Sequence, residues 1–286
     1  MKVLMVGAGG KFAGLVVPEL KRRGATVRAL IRDAGKEDEV RRHGADEVVV
    51  GDLEDRGSLV RAAKGVEGAF HINPAFAANE AKLGVSMVQA AVEAGVRKFT
   101  FSGVIHPSVT KLKNHAAKLP VEEALCESGL VFTILQPTMF MQTLQGGWKE
   151  VVEKGSFTLP YSAKVKASYV DYRDVAEAAA IALSTDRLDY GTFELCAPGM
   201  LSRVELTAIM SEVLGRRIEA GNVSFDEWAA TARIPEGPTR DGLRVMYEDY
   251  DQHGFPGGNA VVLRAVLERE PRGLKGFFQE LAQSTR

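Results

Sequence analysis

The chain has 286 residues, 36 of them basic and 37 acidic, for a formal net charge of −1. That balance excludes a surface built to draw in nucleic acid by charge, and a hydrophobic share of 45% is ordinary for a globular chain. No apolar run approaches the roughly 18 residues of a membrane span, and two distant cysteines, Cys126 and Cys196, without a Cys-x-x-Cys, offer neither a disulfide framework nor a metal set.

Residues 3–6 form a short apolar run that predicts a buried strand. Residues 11–23 follow as an amphipathic helix closed by Gly24, and 25–31 read as a second strand. A charged helix to about residue 43 leads to a third strand at 47–50 and a fourth at 66–72. Asn79 is a good N-cap for a helix to residue 94, before a fifth strand at 97–101. A helix at 120–128 precedes a sixth strand at 131–136, stopped by Pro137. Strands at 167–170 and 192–195 and a helix at 173–183, begun by Asp171 or Asp174, come next. Ser202 and Glu205 make a capping box for a helix to residue 214. From Phe225 the tail reads as mostly helical, interrupted at 235–238 and by "GFPGGN" (254–259), a lid turn or an ordinary one.

Strands alternating with helices mean βαβ units and a parallel sheet, and the nearly continuous apolar strands fit burial on both faces. The expected fold is a doubly wound α/β sheet with a smaller mixed C-terminal lobe. The expected boundaries are 1–150 for the first domain, with 165–184 returning to it, and 151–286 for a smaller, mostly helical substrate lobe.

Gly7-x-x-Gly10-x-x-Ala13 lies between the first strand and the first helix. Glycine there permits a sharp turn and the close approach of a pyrophosphate, and free amides at a helix start attract phosphate. The alternative is a tight turn without a ligand. At the end of the second strand Arg32, with Arg28 and Lys36 near, suits a 2′-phosphate, whereas Asp33 suits a bare ribose. Three cations against one acid favour NADP(H), with NAD(H) possible. Asp52 and Leu53 suit adenine, or a turn. His71, Asn73 and Pro74 end the fourth strand beside the expected cofactor path.

"VGAGGKFAG", "VRALIRD", "GDLED", "AAVEAGVRKFTFSGV", "NHAAKLPVEEALCESGLVFTILQPTMFMQ" and "ASYVDYRDVAEAAAIAL" together resemble the NmrA-like atypical short-chain dehydrogenase/reductases over residues 1–183. The resemblance implies a Rossmann fold with a small C-terminal substrate lobe, and a cofactor site with Gly7, Gly10 and Phe12 at the pyrophosphate and Arg32 at the 2′-phosphate; Lys11 and Lys36 are further cofactor-binding candidates beside them. Asp52 and Leu53 would meet the adenine. Asn73, Pro74, Ser102, Gly103, Lys118 and Pro137 would lie toward the ribose and nicotinamide. It also implies a departure: the wider superfamily uses Tyr-x-x-x-Lys, but four positions before Lys118 stands Asn114.

The chemistry left to the chain falls to Lys118 and His115, each with a plainer alternative as ribose ligand or loop cap. His106 follows the fifth strand. Phe76, Met139, Phe140, Gln142, Trp148 and Tyr169 are candidates for an apolar substrate pocket, or for core. Tyr172 is a further hydroxyl, with packing the plainer role.

The expected function is an NAD(P)H-dependent reductase of an apolar small molecule such as a quinone, an enone or an aromatic polyketide. The alternatives are a non-catalytic NADP(H) sensor that binds a regulatory partner and a nucleotide-assisted tailoring enzyme. No nucleic acid, membrane or metal is expected; a homodimer is possible and the cytoplasm is the expected compartment.

Overall fold

The computed structural model describes residues 1–285. They fall into two units: Met1–Gln136 with Val175–Phe193, and Pro137–Asp174 with residues from Glu194 onward.

The chain runs β1 (Lys2–Val6), α1 (Val16–Arg22), β2 (Thr26–Ile31), α2 (Glu37–Arg42), β3 (Glu47–Val50), α3 (Arg56–Ala63), β4 (Gly68–Ile72) and α4 (Glu80–Glu93). It continues with β5 (Lys98–Ser102), α5 (Lys113–Ala116), α6 (Leu119–Glu127), β6 (Val131–Pro137), β7 (Met139–Phe140), α7 (Trp148–Lys154), β8 (Ser156–Leu159) and β9 (Lys166–Val170). Then come α8 (Tyr172–Ser184), β10 (Gly191–Leu195), β11 (Met200–Ser202), α9 (Arg203–Leu214) and β12 (Glu219–Asn222). Four helices close the chain: α10 (Phe225–Thr231), α11 (Pro238–His253), α12 (Val261–Leu267) and α13 (Leu274–Ser284).

Among the described residues the main sheet has seven strands in the order β10-β6-β5-β4-β1-β2-β3. The pairs from β3 to β6 are parallel. Val3 to Val6 are all nearly inaccessible, as expected of a strand covered on both faces. Leu4, Val6, Phe99, Phe101 and Ile134 share a core with Leu59, Met87, Val88 and Leu125 from the helices. Because β2 and β4 flank β1 on opposite sides, the strand order reverses at β1. In open α/β sheets that reversal marks the ligand end of the sheet. The doubly wound parallel reading is therefore correct.

Local details differ from the sequence reading. The first helix begins at Val16 rather than Lys11, because residues 13–15 wind as a tight 3-10 turn in which the Leu15 N–H reaches back to the Phe12 carbonyl at 2.9 Å. Asn79 makes no side-chain cap; its amide donates to Glu54 Oε1 at 3.0 Å instead. The helix at Arg56–Ala63 was not anticipated, although Asp55 caps it by accepting the Ser58 N–H.

In the second unit β11, β9 and β7 form one small sheet, and β12 and β8 another. The capping box of Ser202 and Glu205 is present. The "GFPGGN" turn is fastened rather than lid-like. Phe255 exchanges backbone hydrogen bonds with Lys166 and Ser168 at 3.1 and 2.9 Å. Gly258 lies so close to Gly199 that a Cβ there would stand 2.5 Å from its carbonyl oxygen.

Candidate cofactor and active site

The loop after β1 is shaped by glycine. Gly7 has φ +79°, and its carbonyl accepts the Gly10 N–H at 2.7 Å. A Cβ on Gly10 would lie 3.0 Å from that carbonyl, and one on Gly14 3.0 Å from the Ala8 carbonyl, so any side chain would crowd the turn. Gly7 and Gly10 are exposed, as is Lys11, whose ammonium sits 5.9 Å from the Phe12 ring. A cavity of about 370 Å³ lies elsewhere, among residues of the second unit; a larger one, about 510 Å³, is lined by Gly9, Gly10, Lys11 and Gly14 together with Glu39 and His43. Bare backbone, a cation and open space are what a dinucleotide phosphate requires, so the residues present fit that group.

At the end of β2 the competition between charges resolves. Asp33 accepts the Gly35 N–H through Oδ1 at 2.9 Å and so caps the short turn at residues 34–36. Arg32 and Lys36 are exposed, and neither side chain has an ion-pair or hydrogen-bond partner among the described residues. With the acid engaged and the cations available, this end of the sheet suits a phosphate better than a bare ribose. Asp52 likewise serves a turn, accepting the Glu54 N–H at 3.0 Å through Oδ1, with Leu53 half-buried beside it.

The ends of β4, β5 and β6 carry a polar cluster inside the first unit. Lys118 is buried and ion-paired with the equally buried Glu80. The second Glu80 oxygen accepts the Phe76 N–H at 2.8 Å. Asn73 donates to the Glu80 carbonyl at 3.3 Å and lies 2.7 Å from His71 Nε2. Glu122, one turn beyond Lys118, accepts both contacts of the Gln136 amide at 2.9 and 3.1 Å. Burial raises its pKa, while Gln136 and Lys118 work the other way. Gly103 packs closely here, since a Cβ would stand 3.2 Å from Glu122 Oε1. Ser102 is fully buried at the end of β5, and Pro74 is exposed after Asn73.

Two residues of the loops at this edge, Phe76 and His106, have left-handed backbones, φ +64° and +55°. Strained non-glycine residues cluster at functional sites. His115 is buried and its Nδ1 donates to the His106 carbonyl at 3.0 Å, which gives it the task of fastening that loop.

In the second unit the remaining candidates mostly pack together. Gln142 is buried, donating to Asp171 Oδ1 at 2.7 Å and accepting the Tyr172 N–H at 2.9 Å. Trp148 is buried, stacks on Phe278 at 5.8 Å and donates to Thr285. Tyr169 is buried, and burial drives its pKa well above the usual phenol value. Tyr172 is fully buried, its ring 4.6 Å from Phe140. Met139 and Phe140 remain half-exposed, whereas Pro137 is buried. Trp148, Tyr169 and Gln142 are thus buried in their unit, with Trp148 and Gln142 hydrogen-bonded inside it, as buried polar-tipped side chains usually are.

The side chains that the sequence reading missed are Glu80 and Glu122. An acid at the first residue of the helix after the fourth strand was the available signal for Glu80. Nothing local marks its pairing with a lysine 38 positions later.

The NmrA-like family model matches residues 1–278. An NAD(P)H azoreductase from Xenophilus azovorans is 28% identical over 228 residues, 79% of this chain and 78% of that protein. Two solved structures share the fold. One is an NADPH-dependent quinone oxidoreductase from Escherichia coli, complexed with NADPH, at TM-score 0.84 and 21% identity, covering 99% of this chain and 100% of that one. The other is a triphenylmethane reductase from Citrobacter sp., complexed with NADP(H), at TM-score 0.85 and 22% identity with the same coverage.

Proposed function

The chain belongs to the NmrA-like family, and from that premise we propose that it is an NADPH-dependent reductase of apolar, conjugated small molecules. The observation that carries this reading is the Gly7–Gly10 turn opening on a cavity of about 510 Å³. The uncommitted Arg32 beside the engaged Asp33 supports NADPH over NADH. The relatives and structural neighbours, an azoreductase, a quinone oxidoreductase and a reductase of triphenylmethane dyes, point to acceptors with extended π systems.

When bound, the nicotinamide supplies a hydride. The rest falls to side chains. The loop backbone and Lys11 hold the diphosphate, and Arg32 and Lys36 hold the 2′-phosphate. Lys118 offers an N–H of fixed direction toward the ribose side, and its partner Glu80 keeps the site from carrying a bare buried charge. Asn114 stands where the wider superfamily has tyrosine, so no phenol is available at that position for a proton. That absence favours a second reading, a binding protein that senses NADP(H) without turning over an acceptor.

Titration calorimetry with NADPH and NADH, followed by NADPH oxidation on a panel of quinones, azo dyes, triphenylmethane dyes and enones, tests both readings. The reductase binds NADPH more tightly than NADH and oxidises it on at least one acceptor. Binding without turnover leaves the sensor, and no binding removes both.

A further inference from the structure

Resting on the reading of the first unit as a nucleotide site, we propose that Glu80 is a positioning residue for Lys118. One carboxylate oxygen holds the Lys118 ammonium and the other holds the Phe76 N–H, so a single side chain fixes both the cation and the strained loop after β4. The two side chains are 6% and 3% exposed, too dry for water to replace either partner. Asn73 ties the Glu80 backbone to His71, which anchors the start of α4 against β4.

The arrangement accounts for the departure at Asn114. In a Tyr-x-x-x-Lys pair the lysine acts as a cation whose field acidifies the phenol. Here there is no phenol at that position, and Glu80 cancels the field. What remains is a hydrogen-bond donor with a set direction and little net charge. Among the described residues, the other titratable groups facing Lys118 are His71 on β4, kept neutral by burial, and Glu122 on α6, engaged by Gln136. Glu80 is the acid in direct contact with the ammonium.

E80Q, K118M and the double variant E80Q/K118M test this in the full chain. Three quantities are read: NADPH Kd between about pH 6 and 9, kcat and KM on a quinone, and the thermal midpoint without ligand. E80Q is expected to raise the NADPH Kd about tenfold. Its NADPH binding should also weaken toward the alkaline end of that range more steeply than that of the wild type, because a buried ammonium without its anion gives up its proton readily. K118M should melt below the double variant, since it strands a buried carboxylate. An E80Q protein with wild-type Kd at every pH, or midpoint losses that simply add, overturns the proposal. A wild type that binds NADPH but turns over nothing removes only the reductase reading, and the pH dependence of Kd still decides Glu80. A wild type that binds no nucleotide overturns this proposal along with the cofactor reading.

Discussion

His71 Nε2 lies 2.7 Å from Asn73 Oδ1, and the Asn73 amide nitrogen turns instead to the Glu80 carbonyl. With Asn73 so oriented, the imidazole proton sits on Nε2. Nδ1 is buried and has no hydrogen-bond partner among the described residues. Burial is the chief cause that takes the His71 pKa from 6.5 down to about 4; Lys118 pushes the same way and the Asn73 hydrogen bond opposes both.

That depression makes a pH prediction. Between the ordinary value of 6.5 and about 4 the unfolded chain holds a proton on His71 that the folded chain refuses. The unfolded state then binds more protons, so stability is present above this window and is lost as pH falls through it. The loss amounts to about 3 kcal/mol from this one residue. Denaturant melts at several pH values in this window, on wild type and H71F, check it. The H71F slope should be shallower, and equal slopes would exclude His71 as the source.

Gly10→Ala places a methyl group 3.0 Å from the Gly7 carbonyl. Either the turn opens or the diphosphate is displaced. The NADPH Kd is expected to rise about 10-fold to 100-fold, equivalent to about 1.4 to 2.8 kcal/mol, with a thermal midpoint near that of the wild type. Titration calorimetry and a melt separate the two quantities.

Arg32→Ala removes a cation that has no internal partner, so fold stability should change by less than about 0.5 kcal/mol. NADPH affinity should fall about tenfold or more while NADH affinity stays put, since a charge-assisted contact is worth about 1.5–3 kcal/mol. Asp33→Ala is its counterpart. It loses a cap worth about 1 kcal/mol without gaining or losing nucleotide preference. A D33A protein that swings toward NADPH would mean that the carboxylate reaches the ribose after all.

Asp174→Ala tests the second unit. The Asp174 carboxylate is fully buried and receives Arg269 Nη2 at 2.7 Å, the Arg272 N–H at 2.7 Å and the Arg272 guanidinium. Its removal takes away the buried carboxylate that two half-exposed guanidiniums and a backbone N–H share, a loss of about 3 kcal/mol. Urea unfolding should show a lower midpoint with an unchanged slope.

Much of the first unit was legible because its signals are local. Val3 to Val6 are apolar without interruption, Gly7 and Gly10 follow at once, and the pattern of strand, turn and helix repeats down the chain. The second unit was harder to read. Its strands run to as few as two residues, too short for a period to emerge. Trp148 and Tyr169 are as apolar as pocket residues, and only their neighbours distinguish packing from binding.

By itself the sequence determined the order of the strands in the first unit, the parallel sheet and the glycine turn, because backbone preference and hydrophobic period act between near neighbours. Asp33 is engaged locally, capping a turn two residues on, but tertiary structure alone decided the state of Lys118. It could have stood as a bare cation, and the folded chain paired it with Glu80, 38 positions away. Such pairings follow from where the sheet brings helix starts together, and no local pattern encodes that distance.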